Sequence, residues 1–199
     1  MAFELVVVGT SLGGLHALEV LLAGLPKGFP VSVAVVQHRH KDSENPLSFF
    51  LQQHSSLPLK EPEDKEAIVP GHVYLAPADY HLLVEPGSFA LSTEAPVEYA
   101  RPSIDVLFES AAEAYAEKVI GVILTGANQD GAQGLAKIKA HGGLAVVQEP
   151  ATAFSPTMPQ AAIAAVRVDW ILPLSEIAPF VVNLCQPATG ENISRATRK

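Results

Sequence analysis

The chain has 199 residues, of which 48% are hydrophobic and 17% are charged. Globular proteins average about 25% charged residues, so this composition excludes a disordered chain, and a chain of this length is expected to bury roughly 70% of its unfolded surface. The 13 Lys and Arg against 21 Asp and Glu give a net charge of −8. This charge excludes the broad basic surface that nucleic acids and anionic membrane surfaces require.

Short apolar runs alternate with helical segments along most of the chain. Within these runs apolar and polar residues do not alternate, which is typical of strands buried on both faces of a parallel sheet. The predicted strands lie at residues 5–8, 31–37, 119–124, 144–147 and 168–172. The predicted helices lie at residues 13–23, 46–53, 103–118, 131–140, 159–165 and 175–185. This order predicts an α/β fold, doubly wound, with a mostly parallel sheet and helices on both faces.

The middle of the chain, residues 57–98, breaks this alternation with closely spaced prolines. Short strands are predicted there at residues 73–75, 81–84 and 89–92, with a turn at Pro86-Gly87-Ser88. The segment has too few apolar residues for a core of its own, so we expect a short β-hairpin insertion. The whole is predicted to be one domain over residues 1–185, followed by a flexible C-terminal tail over residues 186–199.

The sequence shows neither a basic leader nor an apolar stretch of about 18 residues, so we predict no targeting segment and no membrane insertion. We therefore expect a cytoplasmic protein. The single cysteine, Cys185, cannot form an internal disulfide. Its place in the last predicted helix favours a buried small hydrophobic residue over a reactive thiol.

The sequence Gly-Thr-Ser-Leu-Gly-Gly, from Gly9 to Gly14, joins the first predicted strand to the first predicted helix. Ser11 occupies the place of the second glycine in a dinucleotide-binding turn, and no lysine follows Gly14 as a phosphate-binding loop requires. The pattern Gly-x-Ser-x-Gly presents a serine hydroxyl at a strand end, near the N–H groups of a helix N-terminus. Ser11 is therefore a candidate nucleophile; the alternative is a plain turn that packs helix on strand.

Two further polar side chains follow predicted strands. His38 ends the second strand, and Asp130 lies between the strand at residues 119–124 and the next helix. Because the carboxyl ends of the strands line one crevice in such a sheet, we expect Ser11, His38 and Asp130 to meet as nucleophile, general base and orienting acid. Taken singly, His38 could be a surface histidine and Asp130 a helix N-cap.

Five blocks of sequence carry a family resemblance. They are Val-Gly-Thr-Ser-Leu-Gly-Gly around Ser11, Val-Gln-His ending at His38, Arg-Pro-Ser-Ile-Asp-Val-Leu-Phe beginning at Arg101, Leu-Thr-Gly-Ala-Asn-Gln-Asp-Gly around Asp130, and Met158-Pro159. In this order, over about residues 5–184, the chain resembles the catalytic domain of the CheB-type chemotaxis methylesterases.

The resemblance implies a serine hydrolase that removes methyl esters from glutamate side chains of methyl-accepting chemotaxis receptors and also deamidates glutamine. It implies Ser11 as the nucleophile, His38 as the base and Asp130 as the orienting acid, with an acyl-enzyme intermediate and with neither a cofactor nor a metal. The expected partner is the methylated cytoplasmic region of such receptors, or of a related methylated protein.

Three further residues are weaker candidates for the site. Ala127 stands where the family usually has methionine, but the role implied there is a backbone N–H directed at the oxyanion, which any residue except proline supplies. Leu12 stands where the family often has a hydroxyl residue, so a polar contact to the intermediate is lost. Arg101 is near the site in the family, and we expect it either to meet an acidic region of the substrate or to form a structural salt bridge.

Two departures from the family bear on substrate and regulation. Residues 39–45 adjoin the base and lack the Met-Pro and Gly-Phe-Thr elements typical of the family, which affects substrate choice more than reaction type. Only ten residues precede Ser11, whereas the receiver domain that many family members carry needs about 100 residues. We therefore expect no receiver domain, and any regulator to act in trans.

Two alternatives stay open at this point. His38-x-His40 at a strand end, together with Asp130, has the ligand types of a metal hydrolase, although that hypothesis leaves Ser11 unexplained. The other alternative is a binding module that keeps the fold but has little or no catalytic activity. The presence of Ser11, His38 and Asp130 together favours the enzyme.

Overall fold

Strands and helices alternate through the computed structural model, which describes residues 2–39 and 47–186. The strands within these residues are β1 (Leu5–Thr10), β2 (Ser32–Gln37), β3 (Leu59–Lys60), β4 (Val73–Leu75), β5 (His81–Glu85), β6 (Ser88–Ser92), β7 (Val119–Ile123), β8 (Leu144–Gln148) and β9 (Trp170–Leu172). The α-helices are α1 (Gly14–Ala23), α2 (Leu47–Gln52), α3 (Ile104–Tyr115), α4 (Ala132–Ala140), α5 (Thr157–Ala165) and α6 (Leu174–Cys185). Short 3₁₀ helices lie at Ala116–Lys118 and Pro150–Thr152.

Seven strands form one parallel sheet in the order β3-β4-β2-β1-β7-β8-β9. The chain runs outward from β1 through β2, and later continues on the other side of β1 with β7, β8 and β9. The strand order therefore reverses beside β1, the place where open α/β sheets bind their ligands. The predicted doubly wound sheet is confirmed.

Successive residues of β1 point to opposite faces of the sheet and enter two separate cores. Val6 and Val8 pack with α1 and α6, whereas Leu5 and Val7 pack with α3, α4 and α5. β1, β2 and β7 are buried along their whole length, because helices cover both faces of the sheet. Cys185 lies in the first core, and burial raises the pKa of its thiol to about 12, as expected of a structural cysteine.

The middle of the chain contributes more to the sheet than the sequence predicted. Val73–Leu75, which we assigned to the insertion, is β4 and pairs with β2 in parallel; β3, which was not predicted, pairs with β4. Only β5 and β6 form a separate antiparallel hairpin, with Gly87 at φ +83° in its turn. The insertion is therefore smaller than predicted, and the sheet is wider.

The described part of the chain contains no helix long and apolar enough to cross a membrane. The predicted helix at residues 103–118 ends as α3 at Tyr115 and continues as a 3₁₀ turn. Pro46, all but the first residue of the 39–45 segment, and the predicted tail after Gln186 lie outside the described residues.

Candidate active site

Ser11 directly follows β1, and its backbone is held from both sides. Its N–H donates to the carbonyl of Thr125, which follows β7, at 2.9 Å. Its carbonyl accepts from Gln37 Nε2 at 3.0 Å and from Gly14 N–H at 2.9 Å. The serine is thus fixed to both neighbouring strands through its backbone, which leaves its hydroxyl for chemistry.

The two glycines after Ser11 are required by geometry. Gly13 has φ +80°, a conformation that favours glycine. A Cβ on Gly14 would lie 2.0 Å from Gln37 Oε1 and 2.5 Å from Thr10 Oγ1, which leaves no room for a side chain. This close approach lets α1 begin at Gly14, so that the N–H groups of its first turn lie beside Ser11.

His38 follows β2 at the same edge of the sheet. Thr10 and Gln37 are paired in register, and His38 N–H donates to the Thr10 carbonyl at 3.1 Å. Ser11 and His38 line one cavity of about 690 Å³, together with Leu12, Leu15, Gln37 and Phe154. The predicted convergence of these two strand ends is present.

Asp130 orients the imidazole of His38. His38 Nε2 lies 2.7 Å from Asp130 Oδ2, and the Asp130 side chain is completely buried. Asp130 Oδ2 also accepts from Ile104 N–H at 2.7 Å, while Oδ1 accepts from Ser103 Oγ and Asp105 N–H, both at 2.9 Å. Both carboxylate oxygens are therefore fully engaged by donors.

The donors around Asp130 explain why this buried carboxyl stays ionised. Burial by itself would raise its pKa, but the hydrogen bonds from His38 and from the N–H groups of Asp105 and Ile104 outweigh it and hold the pKa below its ordinary value. The N-cap of α3 is Ser103, and Asp130 accepts from the N–H groups of the first two residues of that helix. The helix that follows Asp130 in the chain, α4, has Gly131 as its N-cap, so the N-cap alternative for Asp130 is wrong.

Asp105, in the first turn of α3, is a second buried carboxyl close to Asp130. Its Oδ1 accepts from Gly134 N–H at 2.7 Å, and the residue is 8% exposed. Burial, reinforced by the charge of Asp130, raises the pKa of Asp105 to about 6, against the opposing hydrogen bond from Gly134. The ionised form is therefore costly in the folded protein.

We expect Asp105 to make folding stability depend on pH. A carboxyl whose pKa is higher in the folded than in the unfolded chain stabilises the folded state when it is protonated. This stabilisation is complete below the unfolded-state pKa and is lost as the pH rises through the folded-state pKa of about 6. The free energy of unfolding should fall by about 2 kcal/mol on this account between about pH 4.5 and 7.5. Urea unfolding should show this fall in the free energy of unfolding for the wild type but not for Asp105→Asn. If the free energy of unfolding depends on pH in the same way in both proteins, Asp105 is not the group responsible.

The sequence makes the backbone N–H groups of Leu12 and Ala127 the candidates for binding an oxyanion. Thr125 links the segment that contains Ala127 to the segment that contains Leu12, because its Oγ1 donates to the Leu12 carbonyl at 2.9 Å and its carbonyl accepts from Ser11 N–H. Within the described residues, the N–H groups of Leu12 and Ala127 have no hydrogen-bond partner. Leu12 is 52% exposed and lines the cavity. Because its side chain is apolar, only its backbone can donate a hydrogen bond there.

Arg101 lines a second cavity of about 630 Å³, which shares His38 with the first. Its Nε and Nη2 donate to Asp79 Oδ1 at 3.0 and 2.6 Å, and Nη1 donates to the carbonyls of Thr93 and Glu94. Of the two roles expected for Arg101, the structure contains the salt bridge. The guanidinium fastens the 93–101 loop beside the base.

Sequence reasoning missed Asn128, whose Nδ2 lies 3.2 Å from His38 Nδ1. It also gave no role to Gln37, whose Nε2 donates to the carbonyls of Ser11 and His38. For Gln37 a signal existed, since it is a polar residue that ends an otherwise apolar strand. For Asn128 no sequence pattern exists, because its partner lies 90 residues away.

The metal hypothesis depends on a residue outside the described part of the chain, His40. Among the described residues no group of three or more His, Cys, Asp and Glu could hold a metal ion. The ring nitrogens of His38 face Asp130 and Asn128.

A comparison with protein families identifies the chain. The sequence model described as CheB methylesterase matches residues 6–181. The chain belongs to the CheB methylesterase family. The family predicted from the five sequence blocks is therefore confirmed.

Individual relatives agree with this assignment. A Leptospira interrogans protein named putative protein-glutamate methylesterase/protein-glutamine glutaminase is 48% identical over 187 residues, which cover 94% of this chain and 97% of that protein. The Thermotoga maritima protein-glutamate methylesterase/protein-glutamine glutaminase is 36% identical over 185 residues, 91% of this chain but 54% of that protein, so the chain spans about half its length. The crystal structure of the Thermotoga maritima CheB methylesterase catalytic domain matches with a TM-score of 0.87 and 36% identity, covering 92% of this chain and all of that one.

Proposed function

We propose that this chain is a serine hydrolase, a protein-glutamate methylesterase that also deamidates glutamine side chains. Membership of the CheB methylesterase family and the names of its relatives support the reaction class. The observation that carries the proposal is the 2.7 Å contact between His38 and the buried Asp130, together with the cavity that His38 and Ser11 both line. This arrangement provides a nucleophile, a base and an ion that stabilises the protonated base.

The reaction proceeds through an acyl-enzyme. Ser11 Oγ attacks the carbonyl carbon of the glutamate methyl ester while His38 Nδ1 takes the hydroxyl proton, because Nε2 is bound to Asp130. The negatively charged oxygen of the tetrahedral intermediate accepts hydrogen bonds from the backbone N–H groups of Leu12 and Ala127. His38 returns the proton to the departing methoxide, which leaves as methanol. Water, activated by His38 in the same way, then releases the glutamate carboxylate and restores Ser11.

The substrate we propose is the methylated cytoplasmic region of a chemoreceptor or a related methylated protein, and the location is the cytoplasm. Residues 1–185 form the catalytic domain in this proposal. Ser11, His38 and Asp130 carry the chemistry without a cofactor or metal. Arg101 organises the neighbouring loop in this proposal, since four of its five N–H donors are bound to the chain's own acceptors.

A fluorophosphonate probe tests the proposal, because a serine is nucleophilic at neutral pH only when it is paired with a base. We expect one adduct by intact-mass analysis, mapped to Ser11. Ser155→Ala is the matched control, since Ser155 lies beside Gly126 in the same edge of the sheet and its hydroxyl has no hydrogen-bond partner among the described residues. This variant should still be labelled, whereas Ser11→Ala should not.

Other outcomes of the labelling experiment would favour the alternatives. A folded wild-type protein that takes no label and hydrolyses no activated ester would be a binding module on the same fold. Labelling that is unchanged in Ser11→Ala would contradict the assignment of the nucleophile.

A further inference from the structure

Asn128 contacts the one nitrogen of His38 that the reaction needs free. Its Nδ2 lies 3.2 Å from His38 Nδ1, and its Oδ1 accepts from Asp130 N–H, also at 3.2 Å. The side chain is half-buried in the wall of the second cavity. Asn128 therefore bridges the backbone of the orienting acid and the ring of the base.

The hydrogen-bond roles in this bridge follow from the donors. A backbone N–H can only donate, so the Asn128 atom facing Asp130 N–H is the oxygen, and the atom facing His38 is the amide nitrogen. That nitrogen can only donate, so His38 Nδ1 must carry its lone pair there. The proton of the neutral ring is then on Nε2, where it is donated to Asp130.

Ser11 and Asn128 need the same lone pair. Among the described residues, His38 Nδ1 is bound by Asn128, and no hydrogen bond joins it to Ser11 Oγ. After Ser11 gives up its proton, Nδ1–H would face the Asn128 amide, donor against donor, so the amide must turn away during the reaction. The contact between Asn128 and His38 thus stabilises the neutral imidazole and opposes the transfer of a proton from Ser11 to Nδ1.

We propose that Asn128 is a positioning residue that donates to the bare Nδ1 of His38, whose Nε2 proton is bound to Asp130, and so competes with Ser11 for the Nδ1 lone pair. This inference rests on the proposed function, in which His38 is the base. It makes the observed arrangement a resting state, which ends when the Asn128 amide releases Nδ1.

A purely structural role for Asn128 predicts a different response to substitution. If Asn128 only supports the turn through Asp130 N–H, Asn128→Asp keeps the accepting oxygen and is tolerated, whereas Asn128→Ala loses it and is harmful. The positioning role predicts the reverse order. A carboxylate at position 128 would accept a proton from Nδ1, so that the ring becomes an imidazolium between two carboxylates and cannot act as a base.

The test combines two measurements on the full chain. The ¹⁵N spectrum of histidine-labelled protein at pH 7 separates protonated from bare ring nitrogens, and the rate of fluorophosphonate labelling reports the reactivity of Ser11. For the wild type we expect a bare Nδ1 and a protonated Nε2 at His38. For Asn128→Asp we expect both nitrogens protonated and labelling slowed by at least about 100-fold. For Asn128→Ala we expect Nδ1 to stay bare and labelling to be up to about fivefold faster.

Gln129→Glu is the matched control, because it makes the same amide-to-carboxylate change on the adjacent, exposed side chain. It should be labelled at the wild-type rate. A bare Nδ1 in Asn128→Asp with wild-type labelling, or an Asn128→Ala variant that is slowed as much as Asn128→Asp, would overturn the proposal. A wild-type protein that takes no label but gives the expected spectrum would contradict the proposed function and support the tautomer assignment, since the spectrum requires no turnover.

Discussion

Replacing Ser11 with alanine is expected to lower kcat for methyl-ester hydrolysis by about 10⁶-fold. The residual rate would come from substrate binding and from the N–H groups at the oxyanion position, which alanine leaves in place. The contacts that fix residue 11 are made by its backbone, to Thr125, Gln37 and Gly14, so the variant should keep its fold. Turnover of a methylated receptor fragment and of a small activated ester, with Tm as a check on folding, would measure the effect.

The same variant separates the serine mechanism from the metal hypothesis. Ser155→Ala should retain wild-type turnover and serves as the control. If Ser11→Ala keeps nearly wild-type activity, and if chelators abolish that activity and Zn²⁺ restores it, then His38, His40 and Asp130 form a metal site and the serine mechanism is wrong.

The central sheet was predictable because its strands are buried on both faces. β1, β2 and β7 have no polar face to present, so each appears in the sequence as a continuous apolar run. The edge of the sheet lacks this signal. β3 has two residues, one of them Lys60, and β4 has three. Strands this short are specified by their neighbours, so residues 73–75 could be predicted as a strand but not placed in the parallel sheet.

The part of the candidate site that lies directly at strand ends was predictable from the sequence. Ser11 and His38 follow adjacent strands, and the register of β1 with β2 brings them to one edge. The partners of Asp130 were not predictable, because Ser103, Ile104 and Asp105 lie at the start of α3, 25 to 27 residues away, and local sequence places that helix only roughly. Contacts of this kind depend on how helices pack on the sheet, and no periodicity in the sequence encodes them.

The role predicted for Ala127 depends on its backbone N–H and not on its side chain. The position was expected to tolerate the change from methionine because only its backbone would act. Its side chain is exposed and its N–H has no partner in the described part of the chain, as that role requires. Replacing Ala127 with a residue other than proline leaves this N–H in place and therefore tests the role poorly. A substitution at Thr125 tests it better, because Thr125 links the segment of Ala127 to Ser11 and Leu12.

Replacing Asp130 with asparagine is expected to lower kcat by about 10⁴-fold. Every group around the carboxylate is placed to donate: His38 Nε2 and Ile104 N–H to one oxygen, Ser103 Oγ and Asp105 N–H to the other. An amide offers one acceptor oxygen, so its nitrogen must face one of these pairs. If it faces His38, the ring proton moves to Nδ1 and the lone pair turns away from Ser11.

The alternative orientation of the amide does not restore the site. If the nitrogen faces Ser103 and Asp105, it meets a backbone N–H that cannot accept, and the protonated base still loses the negative charge that stabilises it. Either orientation buries an unpaired donor, so the free energy of unfolding should also fall by about 1–3 kcal/mol at neutral pH.

Turnover and urea unfolding of the Asp130→Asn variant test both effects, and pH provides the internal control. Because the pKa of Asp130 is held below its ordinary value of 3.8, the stability that its ionisation contributes is present above that pH and is lost as the pH falls through the lower, folded-state pKa. The stability difference between wild type and Asp130→Asn should therefore shrink in strong acid. A variant whose kcat stays within about tenfold of wild type would mean that His38 does not depend on Asp130 for its orientation or its charge, and the triad assignment would be wrong.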